Sequence, residues 1–301
     1  FRAMYEQLQQ ATQWENTEAV LFIMQAVARS ILPEEENIVP AVLHQVLSLP
    51  VTIHQAVRVT SLRLVGELSE WIEKHPATLQ AVLQHLLAGL QDPSLSSEAA
   101  TALSVCTKCR EQMTQHFAGL VQILEQIDKF NLKPEPAKGL VKGAALIVSI
   151  MQKEQMHGAV GKIVELQVTP LVAILDSPPP SIVKHSTTDP VLYLDRLSDV
   201  YRHVSPSNGC VVPNPHPCRD VITASWPVLS RCCDVYAADE RVTERTCRCI
   251  RYILINNVNC VCESLKRGRL FVCPSSTDVV IITRQTHEGS VSALAAVLCC
   301  M

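Results

Sequence analysis

Four arginines, Arg241, Arg245, Arg248 and Arg251, recur at steps of four, three and three between Asp239 and Ile255. At about 100° of turn per residue they fall within an arc of roughly 120° on a helix. A guanidinium is always charged, and its planar fork matches two oxygens of a phosphate or carboxylate. Val242, Thr246, Cys249, Ile250, Ile253 and Leu254 occupy the opposite side, so one face has the composition of a core and the other that of an anion-binding row. Only Glu244 interrupts the row, which reads as under-neutralised, while Glu240 lies at its flank. Two readings fit this pattern. The row receives a polyanionic ligand, or it is a solvated helix face whose arginines pair with acids on a neighbouring helix.

Composition limits what else the chain does. A net charge of −3 gives no global basic field for nucleic acid. Aromatic residues are only 4% of the chain, and Tyr252 alone adjoins the arginine row, so stacking on unpaired bases is not expected. No apolar run approaches the roughly 18 residues of a membrane span; Gly143 to Met151 is among the longest. Neither direct nucleic-acid binding nor membrane insertion is expected. The 13 cysteines, all but Cys106 and Cys109 after Gly209, read as reduced thiols. Cys106-x-x-Cys109 has no second pair at zinc spacing, and Cys260/Cys262 and Cys299/Cys300 are no more specific.

The sequence contains no P-loop, no dinucleotide-binding glycine pattern, no G-x-S-x-G and no H-E-x-x-H, and its ten histidines are scattered singly. No enzyme, no cofactor and no metal site are therefore expected. Gly139-x-x-x-Gly143 sits in a helical pattern and reads as close helix packing.

These residues need elements to hold them. Apolar spacing predicts helices over 17–32, 38–49, 54–74 and 78–90, then from a cap at Ser97 through Cys109, 112–127, 137–151 and 158–175. Breaks near residues 50, 92, 132 and 177 give helix pairs about every 40 residues, the period of HEAT and armadillo arrays. An isolated amphipathic pair leaves its apolar face bare, and stacked neighbours cover it. The predicted fold is all-α, an α-solenoid of HEAT-like antiparallel helix pairs. Long loops are expected at 176–189, with its three consecutive prolines, and at 205–216. Helices follow over 190–203, over 218–236 with a kink or break at Pro227, and then along the arginine row, capped by Asp239.

After Ile255 the pattern changes. Asn256, Asn257 and Asn259 interrupt it, KRGRLFVCPSST has no apolar period, and DVVIIT reads as a strand. Residues 1–255 are assigned to the repeat array and 256–301 to a divergent tail not native to it. The opening FRAMYEQLQQ has neither an initiator Met nor a signal-peptide pattern, and the chain is expected to be a fragment.

Six segments together resemble one family: WENTEAVLFIMQAVA (Trp14–Ala28), AVRVTSLRLVGELSEW (Ala56–Trp71), MTQHFAGL (Met113–Leu120), DPVLYLDRL (Asp189–Leu197), HPCRDVITASWPVLS (His216–Ser230) and RVTERTCRCIRY (Arg241–Tyr252). In order and approximate spacing, over about residues 12–255, they are similar to the middle of the transportin-SR branch of the importin-β superfamily. The resemblance implies a right-handed HEAT superhelix that shuttles between cytoplasm and nucleus. It implies serine/arginine-rich phosphorylated cargo, nucleoporin contacts and release by Ran-GTP. The family's arginine-rich helix meets the phosphorylated repeat, and Arg241, Arg245, Arg248 and Arg251 match that helix residue for residue. The N-terminal repeats that bind Ran-GTP and the C-terminal repeats that close around cargo have no counterpart here. A HEAT scaffold that binds proteins whether or not they are phosphorylated is the alternative. If the tail is foreign to the array, truncation at Asn257 leaves the melting temperature within a few degrees; a drop of many degrees in a thermal scan would contradict that boundary.

Overall fold

A computed structural model describes residues 1–103, 108–204, 218–256, 279–280 and 297–298. It comprises two compact units, Phe1–Gly143 and Ala144–Met301.

The first unit holds α1 (Arg2–Gln10), α2 (Trp14–Val27), α3 (Ile38–Leu47), α4 (Gln55–Glu67), α5 (Ser69–Lys74), α6 (Leu79–Leu90), α7 (Ser96–Ala102), α8 (Arg110–Met113) and α9 (Phe117–Glu125). The unit boundary falls inside α10 (Pro134–Val148). The second unit continues with α11 (Lys153–Asp176), α12 (Pro190–His203), α13 (Arg219–Val235) and α14 (Glu240–Asn256).

Neighbouring helices pair, and helices of the same layer stack one repeat apart. In the first unit α1, α3 and α6 form one layer and α2, α4 and α7 the other, with α6 and α7 joined as a pair. Each apolar stripe is thereby covered on both sides: Val39, Val42 and Val46 of α3, Val57, Leu64 and Val65 of α4, and Val82 and Leu86 of α6 are all buried. A buried Val or Leu side chain contributes about 1.5–3 kcal/mol, so these stripes decide the architecture.

Polar contacts in this unit repeat the period. Arg29 pairs with Glu67, Arg58 with Asp92 at 2.8 Å, and Arg63 with Glu98 at 2.9 Å. Thr60 donates to Glu18 at 2.8 Å and buried Trp71 donates to the Glu35 carbonyl at 2.7 Å. The partners in these five contacts lie 34 to 42 residues apart, one helix pair along the chain. In the second unit the corresponding separations rise to 52 and 55. The Pro-rich segment before α12 and the number of residues between α12 and α13 lengthen the repeat there.

Several boundaries differ from the sequence expectation. The helix expected over 54–74 breaks at Leu68 into α4 and α5. Ser97 is not a cap: it lies inside α7, and its hydroxyl accepts from the Lys133 amide at 3.1 Å. Pro227 does not break α13, and Pro170 lies within α11. Glu35 supplies a cap that the sequence reading missed, accepting from the amides of Asn37, Ile38 and Val39 at 3.1, 2.8 and 2.7 Å. Burial pushes its carboxyl up, but these amides more than offset that and hold it below the ordinary range.

α11 is long and apolar enough, by length and composition, to cross a membrane, which corrects the expectation that no stretch is. It packs against α12 and α13, and Met156, Val160, Ile163, Val164, Leu171 and Leu175 are buried, as in a core helix of a folded domain. The expected strand at DVVIIT has a counterpart in Val279–Val280, antiparallel to Val297–Leu298, the only strand residues among those described. The expected loop at 205–216 and Cys106 lie outside the described residues. The array itself is all-α.

The glycine reading also changes. An added Cβ at Gly139 meets nothing within 4 Å, whereas at Gly66 it would lie 3.3 Å from the Cα of Ala102. The close helix approaches are therefore α4 on α7 at Gly66 and α6 on α7 at Gly89, where an added Cβ would lie 3.2 Å from the Cβ of Ala99. Gly66→Val is expected to cost about 1–3 kcal/mol, since backbone must shift. Gly139→Ala should stabilise by about 0.5–1 kcal/mol, from the lower chain entropy of alanine. Urea denaturation of both variants checks the pair; a neutral Gly66→Val would refute the tight approach.

Candidate arginine-row site

α14 begins as the sequence predicts, with Asp239 Oδ1 accepting from the amides of Arg241 and Val242 at 3.0 and 3.3 Å. Its apolar face is buried at Val242, Thr246, Cys249, Ile250 and Ile253. The side chain of Leu254 lies outside the described residues. α12 and α13 supply the cover. Tyr193, Leu194, Leu197 and Tyr201 of α12 are buried, and the Cys249 thiol donates to the Leu194 carbonyl at 3.2 Å. Burial pushes the thiols of Cys249 and Cys232 up, the latter to about 12, so both stay neutral as packing groups.

The arginines lie along one side of this helix, but the structure corrects two expectations about them. They are half-buried rather than fully solvated: 36, 31 and 39% of the Arg241, Arg245 and Arg248 side chains is exposed. Nor is the row under-neutralised. Arg241 lies 3.4 Å from Asp189 and 3.7 Å from Asp239. Arg245 Nε lies 2.8 Å from Asp195 Oδ1, and its Nη1 pairs with Glu244. Arg248 is 2.7 Å from Glu244 and 3.9 Å from Asp195. Burial alone would lower the Arg248 pKa, but Glu244 and Asp195 hold it above the ordinary value. Glu244, named from the sequence as part of the row, bridges Arg245 and Arg248. Arg251 stands half-buried one turn further on.

Asp195 comes from α12, about fifty residues earlier, and no local pattern reveals its partners. A signal was nonetheless present. Asp195, Asp199 and Arg202 follow one another at four and three residues on α12, a charged stripe suited to an arginine helix. Exposed Arg202 also adds a cation that the sequence reading missed, lying 5.5 Å over the ring of Tyr252.

Asp189 holds the near end of the site together. It is 1% exposed, accepts from the amides of His185 at 3.0 Å and Val191 at 3.1 Å, and faces Arg241. One carboxylate thus closes the Pro-rich loop, caps α12 and fixes the first arginine.

Helix pairs that cover one another's apolar faces from repeat to repeat define an α-solenoid of the HEAT type. Family models described as the Transportin-3/Importin-13 third and fourth TPR domains match residues 36–123 and 216–267. Importin-13 of Rattus norvegicus is 22% identical over 290 residues, covering 90% of this chain and 30% of the relative. Transportin MOS14 of Arabidopsis thaliana is 24% identical, covering 79% of this chain and 24% of its own length. A solved structure titled "Importin13 cytosolic state" superposes with a TM-score of 0.70 at 20% identity, over 84% of this chain and 30% of that one. Together these matches show that the chain is similar to importin and transportin relatives, and it spans less than a third of the length of those named. Both family models are shared by the transportin-3 and importin-13 branches, so the narrower transportin-SR resemblance is not singled out.

Asp189→Ala is expected to lower stability by about 2 kcal/mol, from the lost cap and the buried amides left unpaired. Asp189→Asn keeps one acceptor oxygen, enough for the Val191 amide that caps α12, while its NH2 would face the His185 amide and Arg241, so it should lose part of that. Equal losses in urea melts would mean that the contacts of the second oxygen, with His185 and Arg241, carry the effect and the α12 cap does not.

Proposed function

We propose that this chain is part of a nuclear transport receptor, and that the row on α14 receives serine/arginine-rich, phosphorylated cargo such as splicing factors. One observation carries the proposal: three arginines of one helix face keep about a third of their side chains open to solvent while packed beside a second helix. Successive turns of α14 place them about 5.4 Å apart. Alternate residues of an extended peptide recur about every 6.6 Å, close enough for two or three phosphoserines to meet guanidinium groups in turn. Each phosphoserine brings between −1.5 and −2 charges and three acceptor oxygens. In the whole receptor, Ran-GTP releases the cargo, nucleoporins provide passage, and the protein shuttles between cytoplasm and nucleus. The superfamily relatives support this wider role.

The ion pairs around the row favour a second reading, a HEAT scaffold indifferent to phosphorylation, and one titration separates the two. Phosphorylated and unphosphorylated Arg-Ser repeat peptides are titrated against the chain and against Arg245→Ala/Arg248→Ala at two salt concentrations. The double variant should bind the phosphorylated peptide at least about tenfold more weakly, with the larger loss at low salt. The unphosphorylated peptide should be little affected. Equal losses for both peptides, or none, would favour the scaffold.

A further inference from the structure

Between Arg245 and Arg248 the row is already occupied. Asp195 approaches from α12 and Glu244 from α14 itself, so two guanidinium groups face two carboxylates. The two acids are accessible, with 26 and 27% of their side chains exposed. The pairing is also incomplete: Arg245 Nε lies 2.8 Å from Asp195, yet is buried without an aligned hydrogen bond. Half-buried pairs of this kind open at low cost only when each freed charge gains a replacement partner.

We propose that Asp195 and Glu244 are exchangeable counter-ions that determine specificity. A phosphate meeting Arg245 and Arg248 displaces the two carboxylates, and the displaced carboxylates take arginines from the same peptide. The proposal rests on the phosphopeptide reading above and adds a requirement to it. Two arginines and two acids sum to zero, so a phosphate entering alone leaves the half-buried cluster with nearly −2. Like charges held this close repel, and the low exposure limits screening by salt. A peptide carrying a cation beside each phosphate restores the balance, because each freed carboxylate gains an arginine fork. The site therefore selects alternating charge rather than negative charge. Sequence position alone does not reveal this, since Asp195 enters from another helix.

The test uses the 301-residue chain and two peptides with equal numbers of phosphoserines, one a phosphoserine-arginine repeat and the other a phosphoserine-alanine repeat. The unmodified chain should prefer the arginine peptide by about tenfold or more. In Asp195→Asn/Glu244→Gln, which keeps side-chain size while leaving the arginines in excess, affinity for the alanine peptide should rise and the preference should shrink to about threefold or less. Asp195→Asn alone should give an intermediate preference, with helicity by circular dichroism confirming that each variant is folded. If the unmodified chain binds both phosphopeptides equally, the counter-ion role is overturned and the phosphopeptide site stands. If neither peptide binds the chain or its variants, both fall. If the preference persists unchanged in the double variant, Asp195 and Glu244 are not its source.

Discussion

A helix with one apolar stripe is not stable alone in water, and here its cover comes from a helix one repeat away in the chain. Much else depends on that constraint. It separates the partners of the first unit's cross-helix contacts by 34 to 42 residues. It also places α12 against α14, where Leu194, Leu197, Cys249 and Ile250 are buried. Once those apolar faces meet, the polar edges of the same helices are fixed relative to each other. The arginine row on α14 then has no choice of neighbours: it lies beside the charged stripe of α12.

That placement changes the electrostatics of the site. A row of guanidinium groups on an isolated helix would project a strong positive field. Beside α12, and with Glu244 and Asp239 on its own side, the row is locally balanced, and each of its first three arginines is within 4 Å of two carboxylates. Exchange of ion pairs, rather than simple attraction, then governs anion binding. Such exchange favours ligands that carry both signs of charge in register with the helix.

The architecture was legible because it follows from spacing that each segment carries in itself. The start of α3, the whole of α12 and the Asp239 cap agree with the apolar pattern and with cap chemistry. The errors arise where a distant segment decides. Nothing local breaks the helix at Leu68, and nothing local stops Ser97 from capping, since its hydroxyl serves the Lys133 amide. Gly139 resembles a packing glycine by its spacing, whereas Gly66 is one because Ala102 approaches it. In the site, the arginine spacing and Glu244 were readable, and the charged stripe of Asp195, Asp199 and Arg202 was present in the sequence; its pairing with the row, and the role of Asp189, were not readable, because the packing of α12 on α14 decides them. The tail beyond residue 256 is described only at two short paired strands, and the second family match runs to residue 267.

The coupling between α12 and the arginine row is most directly tested by a double-mutant cycle on Asp195 and Arg245, using Asp195→Asn and Arg245→Met to preserve volume. Stability is measured by urea denaturation for the unmodified chain, both single variants and the pair. Direct contact at 2.8 Å predicts a coupling energy of about 0.5 kcal/mol or more. Additivity within about 0.3 kcal/mol would mean that Asp195 and Arg245 act independently, and that the balanced row does not exist in solution.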